Sequence, residues 1–410
     1  MDIISSILRG LVLGDLVWWW RADRVLRRMP RAAHWRIVLG LFMVAQAIGL
    51  FLVLTSRRYD MRFEWILTRP YLTCIYIWHC LLLLPMLLLW VPYSISKWTV
   101  AGIRALVRLR DSRRPHPGVD GPRVSRREFA RLLAAAVPAV ATLGSAIIAL
   151  WQLERFRIRS FALTLPDLPP ALDGLTIAHV TDFHVGQFTR GEVLDRIVAA
   201  TNDLRADLVL FTGDLINFAL TDLDAAIAVA KRLSGTQGVF LCEGNHDLFD
   251  DAHQFRARTL AAGLRLLVNE SATVTIRGVA VQLLGLRWGA RDRHAHDPAS
   301  RSDQAIADSM RELLAQRDAD AFPILLAHHP HAFDYAKGIP LTLSGHTHGG
   351  QIMVTRNFGF GPMLYRYWSG LYRNGARALL VSNGTGNWFP LRTRAPAEIL
   401  HITLRSLQSP

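Results

Sequence analysis

Side chains of the types that bind metal ions follow five short apolar runs in the last two thirds of the sequence. They are carboxylates, imidazoles and one amide, with no thiol among them: Asp182, His184, Asp214, Asn245, His328, His346 and His348. This mixture suits borderline divalent ions such as Mn, Fe or Zn better than Mg alone. Seven protein ligands are too many for one catalytic ion that keeps a position open, so the set predicts two ions sharing a bridging carboxylate.

The spacing of these residues supports a common site. Asp182 and His184 are two residues apart, as are His346 and His348, which places both members of each pair on the same side of an extended segment. Gly213 directly precedes a candidate ligand, where a sharp turn out of a strand needs a small residue. Paired metal ions activate water and hold a phosphoryl group, so the pattern predicts hydrolysis of a phosphoester.

Five sequence blocks together resemble a known family. In order they are Asp182-Phe183-His184, Gly213-Asp214, Gly244-Asn245-His246-Asp247, His328 and Gly345-His346-Thr347-His348. They resemble the blocks of the calcineurin-like metallophosphoesterases, and the resemblance covers residues 157–404. Gly349-Gly350-Gln351 after the last block resembles the membrane-anchored bacterial branch, which includes phosphodiesterases that act on lipid A precursors.

The resemblance implies a role for each residue. The first ion would be held by Asp182, His184 and His348 and the second by Asn245, His328 and His346, with Asp214 bridging. His246 would lie beside the phosphate, as proton donor to the leaving oxygen or as a transition-state stabiliser, with Asp247 orienting it. The family block has one His before a residue and Pro, which favours His328 over His329. A hydroxide bridging the two ions would be the attacking group.

Short strands that alternate with helices carry these residues. The segments 175–180, 207–212, 238–242, 323–327 and 341–343 are predicted strands, and 192–204, 223–233, 255–262 and 305–317 are predicted helices. In layered α/β folds, ligands gather at the carboxyl ends of the strands, which is where the candidate residues stand. The family resemblance implies a particular α/β fold, a four-layer αββα sandwich of two packed sheets flanked by helices.

The positive charge of the chain is concentrated in its first third. The 410 residues include 47 Lys and Arg and 33 Asp and Glu, a net charge of +14. Residues 1–151 hold 21 Lys and Arg and 8 Asp and Glu, whereas residues 152–410 hold 26 Lys and Arg and 25 Asp and Glu. The basic third also contains three uncharged apolar runs, 37–55, 71–96 and 132–151, each about long enough to span a bilayer. This pairing indicates a membrane region and removes the main support for nucleic-acid binding.

The sequence therefore predicts a membrane region over residues 1–151 and a catalytic domain over 152–410. Residues 3–20 either span the membrane as a fourth helix or lie in its interface. The segments 21–36, 56–70 and 97–128 carry six, four and nine Lys or Arg. The positive-inside rule then places the first and third segments in the cytoplasm. A multi-pass protein of the inner membrane is expected, with its catalytic domain facing the periplasm or exterior.

The expected function is hydrolysis of a phosphoester or pyrophosphate bond in a lipid or envelope precursor. The bilayer and a phosphorylated lipid or small molecule are the expected partners. Two alternatives remain open at this stage: a periplasmic phosphatase for soluble phosphoesters, and a non-catalytic membrane scaffold that binds metal. The complete ligand set and His246 argue against the scaffold.

Two other features have no settled role. Trp388, in the segment 384–394, either contacts acyl chains or packs against the sheet. His79 lies at mid-membrane depth, where a polar group is costly, and is expected to hydrogen-bond a neighbouring helix.

Overall fold

The computed structural model describes residues 3–29, 31–59, 68–83, 85–87, 96–97, 99–100, 126–289 and 303–407. Its contacts divide the chain into two compact units, Met1–Leu150 and Trp151–Pro410. Most of the arginine-rich segment 97–128, on which the predicted orientation partly depends, lies outside the described residues.

The described part of the first unit is helical. Its helices are α1 (Ile3–Leu26), α2 (Ala32–Tyr59), α3 (Arg69–Tyr76), which continues as the π-helical segment Ile77–Leu83, and α4 (Arg126–Leu153), whose last residues belong to the second unit. Three stretches are long and apolar enough to cross a membrane by length and composition: Ala32–Thr55, Pro70–Leu87 and Ala136–Leu153. They overlap the three predicted runs, and α1 falls outside this set.

A buried acidic residue on α1 contacts the π-helical segment. Asp15 Oδ1 accepts a hydrogen bond of 2.7 Å from the indole N–H of Trp78, and Asp15 Oδ2 lies 3.1 Å from Nε2 of His79. The other ring nitrogen of His79 lies 2.9 Å from the carbonyl oxygen of Ile75. No sequence pattern identifies a partner for His79, and in the structure that partner is Asp15 on a neighbouring helix.

The second unit is built on two large β-sheets. Its strands are β1 (Phe156–Leu165), β2 (Thr176–Val180), β3 (Leu208–Thr212), β4 (Gly238–Cys242), β5 (Glu270–Ile276), β6 (Val279–Gly285), β7 (Phe322–Leu326), β8 (Leu341–Ser344), β9 (Met353–Thr355), β10 (Phe358–Gly359), β11 (Gly370–Asn374), β12 (Arg377–Val381) and β13 (Ala397–Ser406). One sheet has the order β1-β13-β2-β3-β4 and the other β11-β12-β8-β7-β6-β5, and β9 pairs with β10 separately.

Strand direction brings particular chain ends to one edge. Strands β2, β3 and β4 are parallel, as are β6, β7, β8 and β12. Strand β13 runs antiparallel to β2, and β1 runs parallel to β13. Strand β11 runs antiparallel to β12. The amino-terminal ends of β1, β11 and β13 therefore lie at the edge where the parallel strands of their own sheet end. We call this the C-terminal edge.

The apolar side chains define four layers. Alternate residues of both sheets, such as Leu210 and Ile402 from one and Ile324 and Leu380 from the other, form a buried core between the sheets. The helices α5 (Glu192–Asp203), α6 (Leu223–Ala230) and α7 (Ala252–Ala261) cover the outer face of the first sheet. The helices α8 (Asp303–Leu314) and α9 (Ala332–Tyr335) cover the second sheet, and a short helix α10 (Phe360–Leu364) follows β10. The predicted αββα sandwich is confirmed.

Candidate metal centre

The candidate ligands leave the strands through tight turns at the C-terminal edge. Asp182, His184, Asp214, His346 and His348 all have positive φ angles, of 55°, 47°, 58°, 72° and 49°. Residues other than glycine adopt this left-handed region at an energetic cost, which the surrounding structure must offset. Five of the seven candidate ligands therefore carry backbone strain.

Three side chains meet in the first group. Asp182, His184 and His348 are buried, and each offers one ligand atom within 4.8 Å of the other two. His348 Nε2 lies 3.1 Å from Asp182 Oδ1 and 2.9 Å from Nε2 of His184. Two imidazole nitrogens and a carboxylate oxygen thus point toward one place, as a metal ion requires.

A second group lies beside the first, and its carboxylate, Asp214, approaches a ligand of the first group. Asp214, His328 and His346 also bring one ligand atom each within 4.8 Å of one another. Asp214 Oδ2 lies 3.0 Å from Nε2 of His328 and 3.5 Å from Nε2 of His184, which belongs to the first group. One carboxylate oxygen therefore stands between the two groups, where a bridging ligand would stand.

Two buried polar atoms support the fit of a cation to this site. Asn245 Oδ1 is buried and has no hydrogen-bond partner among the described residues. His328 Nε2 likewise makes no hydrogen bond to a described residue, although Asp214 is close. An unpaired buried polar atom is costly unless a ligand or ion completes it. The loop of Asn245 is tied to the centre, because the backbone N–H of His246 donates to Asp214 Oδ1 at 2.8 Å.

The turn before Asp214 needs glycine, as predicted from its position after a strand. Gly213 has a φ of 91°, and a Cβ atom there would lie 2.6 Å from the backbone nitrogen of Gly244 and 2.7 Å from Nδ1 of His328. Any larger residue would push two ligand-bearing segments apart.

His246 lies at the solvent-facing side of the centre. It is half-buried, and a ring nitrogen falls within 4.8 Å of the ligand atoms of His184 and Asp214. Its Nδ1 makes a short contact with the backbone carbonyl oxygen of Asn217, which leaves Nε2 available to a substrate. The ring also packs against both Phe218 and Phe249, with centroid distances of 4.9 and 4.6 Å.

Comparisons with known proteins agree with this geometry. Residues 175–350 match the family model described as calcineurin-like phosphoesterase. An uncharacterized metallophosphoesterase of Helicobacter pylori (strain J99) is 32% identical over 238 residues, 56% of this chain and 60% of the relative. The Bacillus subtilis uncharacterized metallophosphoesterase YkuE is 30% identical over 298 residues, 69% of this chain and 99% of the relative. The chain belongs to the calcineurin-like phosphoesterase family.

Another relative resembles the chain over both of its units. A Danio rerio protein described as a transmembrane protein with metallophosphoesterase domain is 27% identical over 413 residues, 96% of this chain and 87% of the relative. The chain spans about 60% of the length of the Helicobacter relative. Residues 175–350 thus match a calcineurin-like phosphoesterase domain, in a chain with apolar helices of membrane-spanning length.

Electrostatics in this calcineurin-like domain favour the protonation states that metal ligation needs at the titratable candidate ligands, with the exception of His328, whose extra proton a bound ion would have to displace. Burial lowers the pKa values of His184, His346 and His348, so their imidazoles are neutral. Burial would raise the pKa of Asp214, but the neighbouring imidazoles, with His328 first, lower it below its usual range. Burial would lower the pKa of His328, but the Asp214 carboxylate outweighs burial and raises it to about 9. Anionic carboxylates among buried rings create a place that favours cations.

One role implied by the family resemblance differs from the contacts observed. Asp247 was expected to orient His246, but no hydrogen bond joins these two side chains among the described residues. The carboxylate of Asp247 instead accepts backbone N–H groups of Asp214, Leu215, Ile216 and Gly244, at 2.7 to 3.1 Å. It holds the two ligand-bearing loops together, and the Asn217 carbonyl group orients His246.

Two residues near the centre were not assigned by sequence. Trp388 is 40% exposed, and its ring centroid lies 6.3 Å from that of His246 and 6.5 Å from that of His348. Arg392 is buried, and its Nη2 lies 2.8 Å from Nδ1 of His348. Trp388 thus flanks the exposed side of the centre, while the next residue, Phe389, is buried. No motif identifies Arg392, since a single arginine in a polar loop has no distinctive spacing.

Proposed function

We propose that the protein is a membrane-anchored phosphohydrolase that uses two divalent metal ions to cleave a phosphoester or pyrophosphate bond. The observation that carries the proposal is the position of Asp214 Oδ2, 3.5 Å from His184 Nε2 and 3.0 Å from His328 Nε2. A carboxylate oxygen between two groups of imidazole and carboxylate ligands is the arrangement that a pair of bridged ions needs.

Each ion would have its own ligands. The first would be held by Asp182, His184 and His348 and the second by Asn245, His328 and His346, with Asp214 shared. Manganese, iron or zinc suits this mixture of nitrogen and oxygen ligands. Ions bound there would supply an activated water molecule and neutralise charge on the phosphoryl group.

His246 would act on the substrate directly. The Asn217 carbonyl group and the flanking rings of Phe218 and Phe249 fix the imidazole, and its Nε2 remains available on the exposed side. From there it would donate a proton to the leaving oxygen or stabilise charge in the transition state. Its position next to Asp214, fixed through its own backbone N–H, keeps it close to the scissile bond.

The first experiment removes metal and the bridging carboxylate. The full chain is purified in detergent, dialysed against EDTA, and assayed with bis(p-nitrophenyl) phosphate before and after Mn²⁺ is added. We expect turnover to disappear with EDTA and return with Mn²⁺, and Asp214→Ala to lose both ions or keep one weakly, as measured by elemental analysis. Asp224→Ala, which removes an exposed acid on α6, serves as the control. Turnover that survives dialysis, or two ions retained by Asp214→Ala, would overturn the proposal.

A lipid or envelope precursor is the proposed substrate class. The segment 354–364, which we call the apolar loop, exposes Val354, Phe358, Phe360, Met363 and Leu364, each between 48% and 69% exposed. Contiguous exposed apolar side chains are unusual on a domain that meets only water. The end of α4 is also fixed to this domain, because the side chain of Asn387 donates to the carbonyl group of Leu153 at 3.1 Å.

A paired substrate panel tests the substrate class. Lipid-linked phosphoesters in mixed micelles are compared with water-soluble esters of the same leaving group, both with Mn²⁺. Preference for the lipid-linked esters supports the proposal. Equal turnover rates on both ester classes, unchanged by the micelles, would favour a phosphatase for soluble esters. Bound metal without turnover on any ester would favour a scaffold.

The proposed location is the inner membrane, with several membrane passes and the catalytic domain in the periplasm or exterior. The support is the charge of the loops: six and nine Lys or Arg in segments 21–36 and 97–128, against four in 56–70. An alkaline phosphatase reporter fused at the C-terminal end should be active, and a green fluorescent protein reporter that needs the cytoplasm should be dark. The reverse result would refute the orientation.

A further inference from the structure

A pocket of about 640 Å³ lies beside the metal centre at the C-terminal edge, and four arginines line it. Arg157 and Arg159 come from the amino-terminal end of β1, Arg356 from the turn between β9 and β10, and Arg394 from the segment before β13. None of the described residues that line the pocket is acidic. Because these four positions are far apart in sequence, the fold has brought separate positive charges to one cavity.

The four arginines divide into two pairs. Arg157 donates to the buried carboxylate of Glu398 at 2.7 and 3.0 Å, and Arg159 lies 3.8 Å from the same group. The carboxylate of Glu398 thus holds Arg157 and Arg159 in place, and its one negative charge offsets only one of their two positive charges. In the part of the chain that the structure describes, Arg356 and Arg394 form no ion pair with a carboxylate. The pocket is therefore strongly positive, and its two unpaired guanidinium groups are available to an anion.

This pocket and the metal centre are lined by adjacent residues of the chain. Gly349 lines the pocket and directly follows the candidate ligand His348. Its φ is 62°, and a Cβ atom there would lie 2.7 Å from Cγ of Asn383, which also lines the pocket. Asn383 in turn accepts a hydrogen bond of 2.7 Å from the hydroxyl group of Ser369. The pocket lining and the candidate ligand set therefore meet at the adjacent residues His348 and Gly349, so groups bound at the two places would be close neighbours.

We propose that this pocket binds a second anionic group of the substrate, a phosphate or a carboxylate, while the scissile phosphoryl group lies at the metal centre. Arginine forks bind such groups through paired, charge-assisted hydrogen bonds. The inference rests on the proposed function and narrows it: the preferred substrate carries two anionic groups, and simple monoanionic esters are poor substrates. Trp368 and Tyr372 line the same pocket and offer aromatic faces to the part of the molecule between the two anions.

The first arm of the test measures anion binding without metal. The full chain in detergent with EDTA is titrated calorimetrically with inorganic pyrophosphate at constant ionic strength. We expect saturable binding that the double variant Arg356→Gln/Arg394→Gln weakens about tenfold or more, a loss of about 1.4 kcal/mol. The control is Arg311→Gln/Arg317→Gln, which removes two exposed arginines in and just after α8, outside the pocket.

The second arm uses the Mn²⁺-loaded enzyme and two classes of inhibitor. Alkylphosphonates carry one anionic group, and alkane-α,ω-bisphosphonates with two to eight carbons carry two. For each protein, the inhibition constants are measured against hydrolysis of bis(p-nitrophenyl) phosphate, and their ratio is compared. We expect the best bisphosphonate to inhibit the wild-type enzyme about tenfold or more tightly than its monophosphonate, and this advantage to vanish in Arg356→Gln/Arg394→Gln but not in the control variant.

The outcomes separate the two proposals. If bis(p-nitrophenyl) phosphate is hydrolysed but bisphosphonates gain nothing over monophosphonates, the anion pocket is refuted and the phosphohydrolase stands. If no ester is hydrolysed, the proposed function fails, and the pyrophosphate titration alone decides the pocket. Equal pyrophosphate affinity in the wild type and Arg356→Gln/Arg394→Gln would refute the pocket in either case.

Discussion

The guanidinium group of Arg392 lies 2.8 Å from Nδ1 of His348, on the side of the imidazole away from the candidate metal position. Arg392 is buried, and its Nε donates to the side chain of Asn387 at 2.7 Å. Asn387 in turn donates to the carbonyl group of Leu153, the last residue of α4. One arginine thus connects a candidate metal ligand with the end of a helix of membrane-spanning length.

The first prediction concerns Arg392 as a positioning residue. Burial lowers its pKa to about 10, so it remains a cation at neutral pH. Arg392→Gln should raise the Mn²⁺ concentration for half-maximal activity by roughly 10- to 100-fold, because groups behind a ligand fix its orientation and tune its affinity. Arg392→Lys retains the positive charge but loses the planar guanidinium group. Its Mn²⁺ concentration for half-maximal activity should therefore lie between those of the wild type and Arg392→Gln.

The control for Arg392 is Arg317→Gln, which removes an exposed arginine outside the centre. Thermal unfolding of the EDTA-treated variants separates a general loss of stability from a change in metal affinity. An unaltered Mn²⁺ dependence in Arg392→Gln would show that the contact with His348 has no role in metal binding.

The second prediction concerns His246. Because its side chain is assigned to the substrate, His246→Ala should retain both ions while turnover falls by roughly 10²- to 10⁴-fold. Elemental analysis and turnover of bis(p-nitrophenyl) phosphate are measured on the same preparation. The ring nitrogen lies within 4.8 Å of the ligand atoms of His184 and Asp214, so metal loss is a real alternative outcome. A variant with one ion would move His246 into the ligand set.

Much of the fold was predictable because local patterns encode it. The predicted strand 238–242 matches β4, and the predicted strands 175–180 and 207–212 differ from β2 and β3 by one residue at their starts. These strands are continuous apolar runs that end at a polar residue, a signal that needs no tertiary information. Strands β1 and β11 are among those that the sequence did not predict. Both contain arginine and exposed positions along their length, which hides the apolar pattern.

The residue types of the candidate site were predictable from the sequence, but the residues that surround and orient them were not. Its members are of residue types that can bind metals, so their order in the sequence was informative. The partners of His348 and His79, namely Arg392 and Asp15, are 44 and 64 residues away, and neither belongs to a motif. The positive φ of Asp182 is likewise invisible in the sequence, because only the folded environment selects that conformation.

The third prediction concerns the apolar loop. Met363→Ser/Leu364→Ser should lower the ratio of turnover on lipid-linked esters to turnover on soluble esters by about tenfold, because burying exposed apolar side chains in the bilayer stabilises the bound state. Full-length protein in vesicles is assayed with both ester types. Leu260→Ser, at another exposed leucine on α7, is the matched control. Equal ratios in all three proteins would exclude the apolar loop from substrate access.

The last prediction concerns the buried contact between Asp15 and His79. Asp15 accepts from both Trp78 and His79, so Asp15→Leu leaves two buried donors unpaired, whereas Asp15→Asn retains one acceptor. Asp15→Leu should therefore lower the midpoint temperature of thermal unfolding of the first unit, measured in detergent, more than Asp15→Asn does. A double-mutant cycle with His79→Leu should give a coupling of about 1 kcal/mol, within the range of polar contacts in membrane helices. Metal-dependent turnover on a soluble ester is the control measurement. It should be the same in the variants and the wild type, because Asp15 and His79 lie outside the catalytic domain. Additive effects of the two leucine substitutions would show that the observed contact contributes nothing to holding α1 against the π-helical segment.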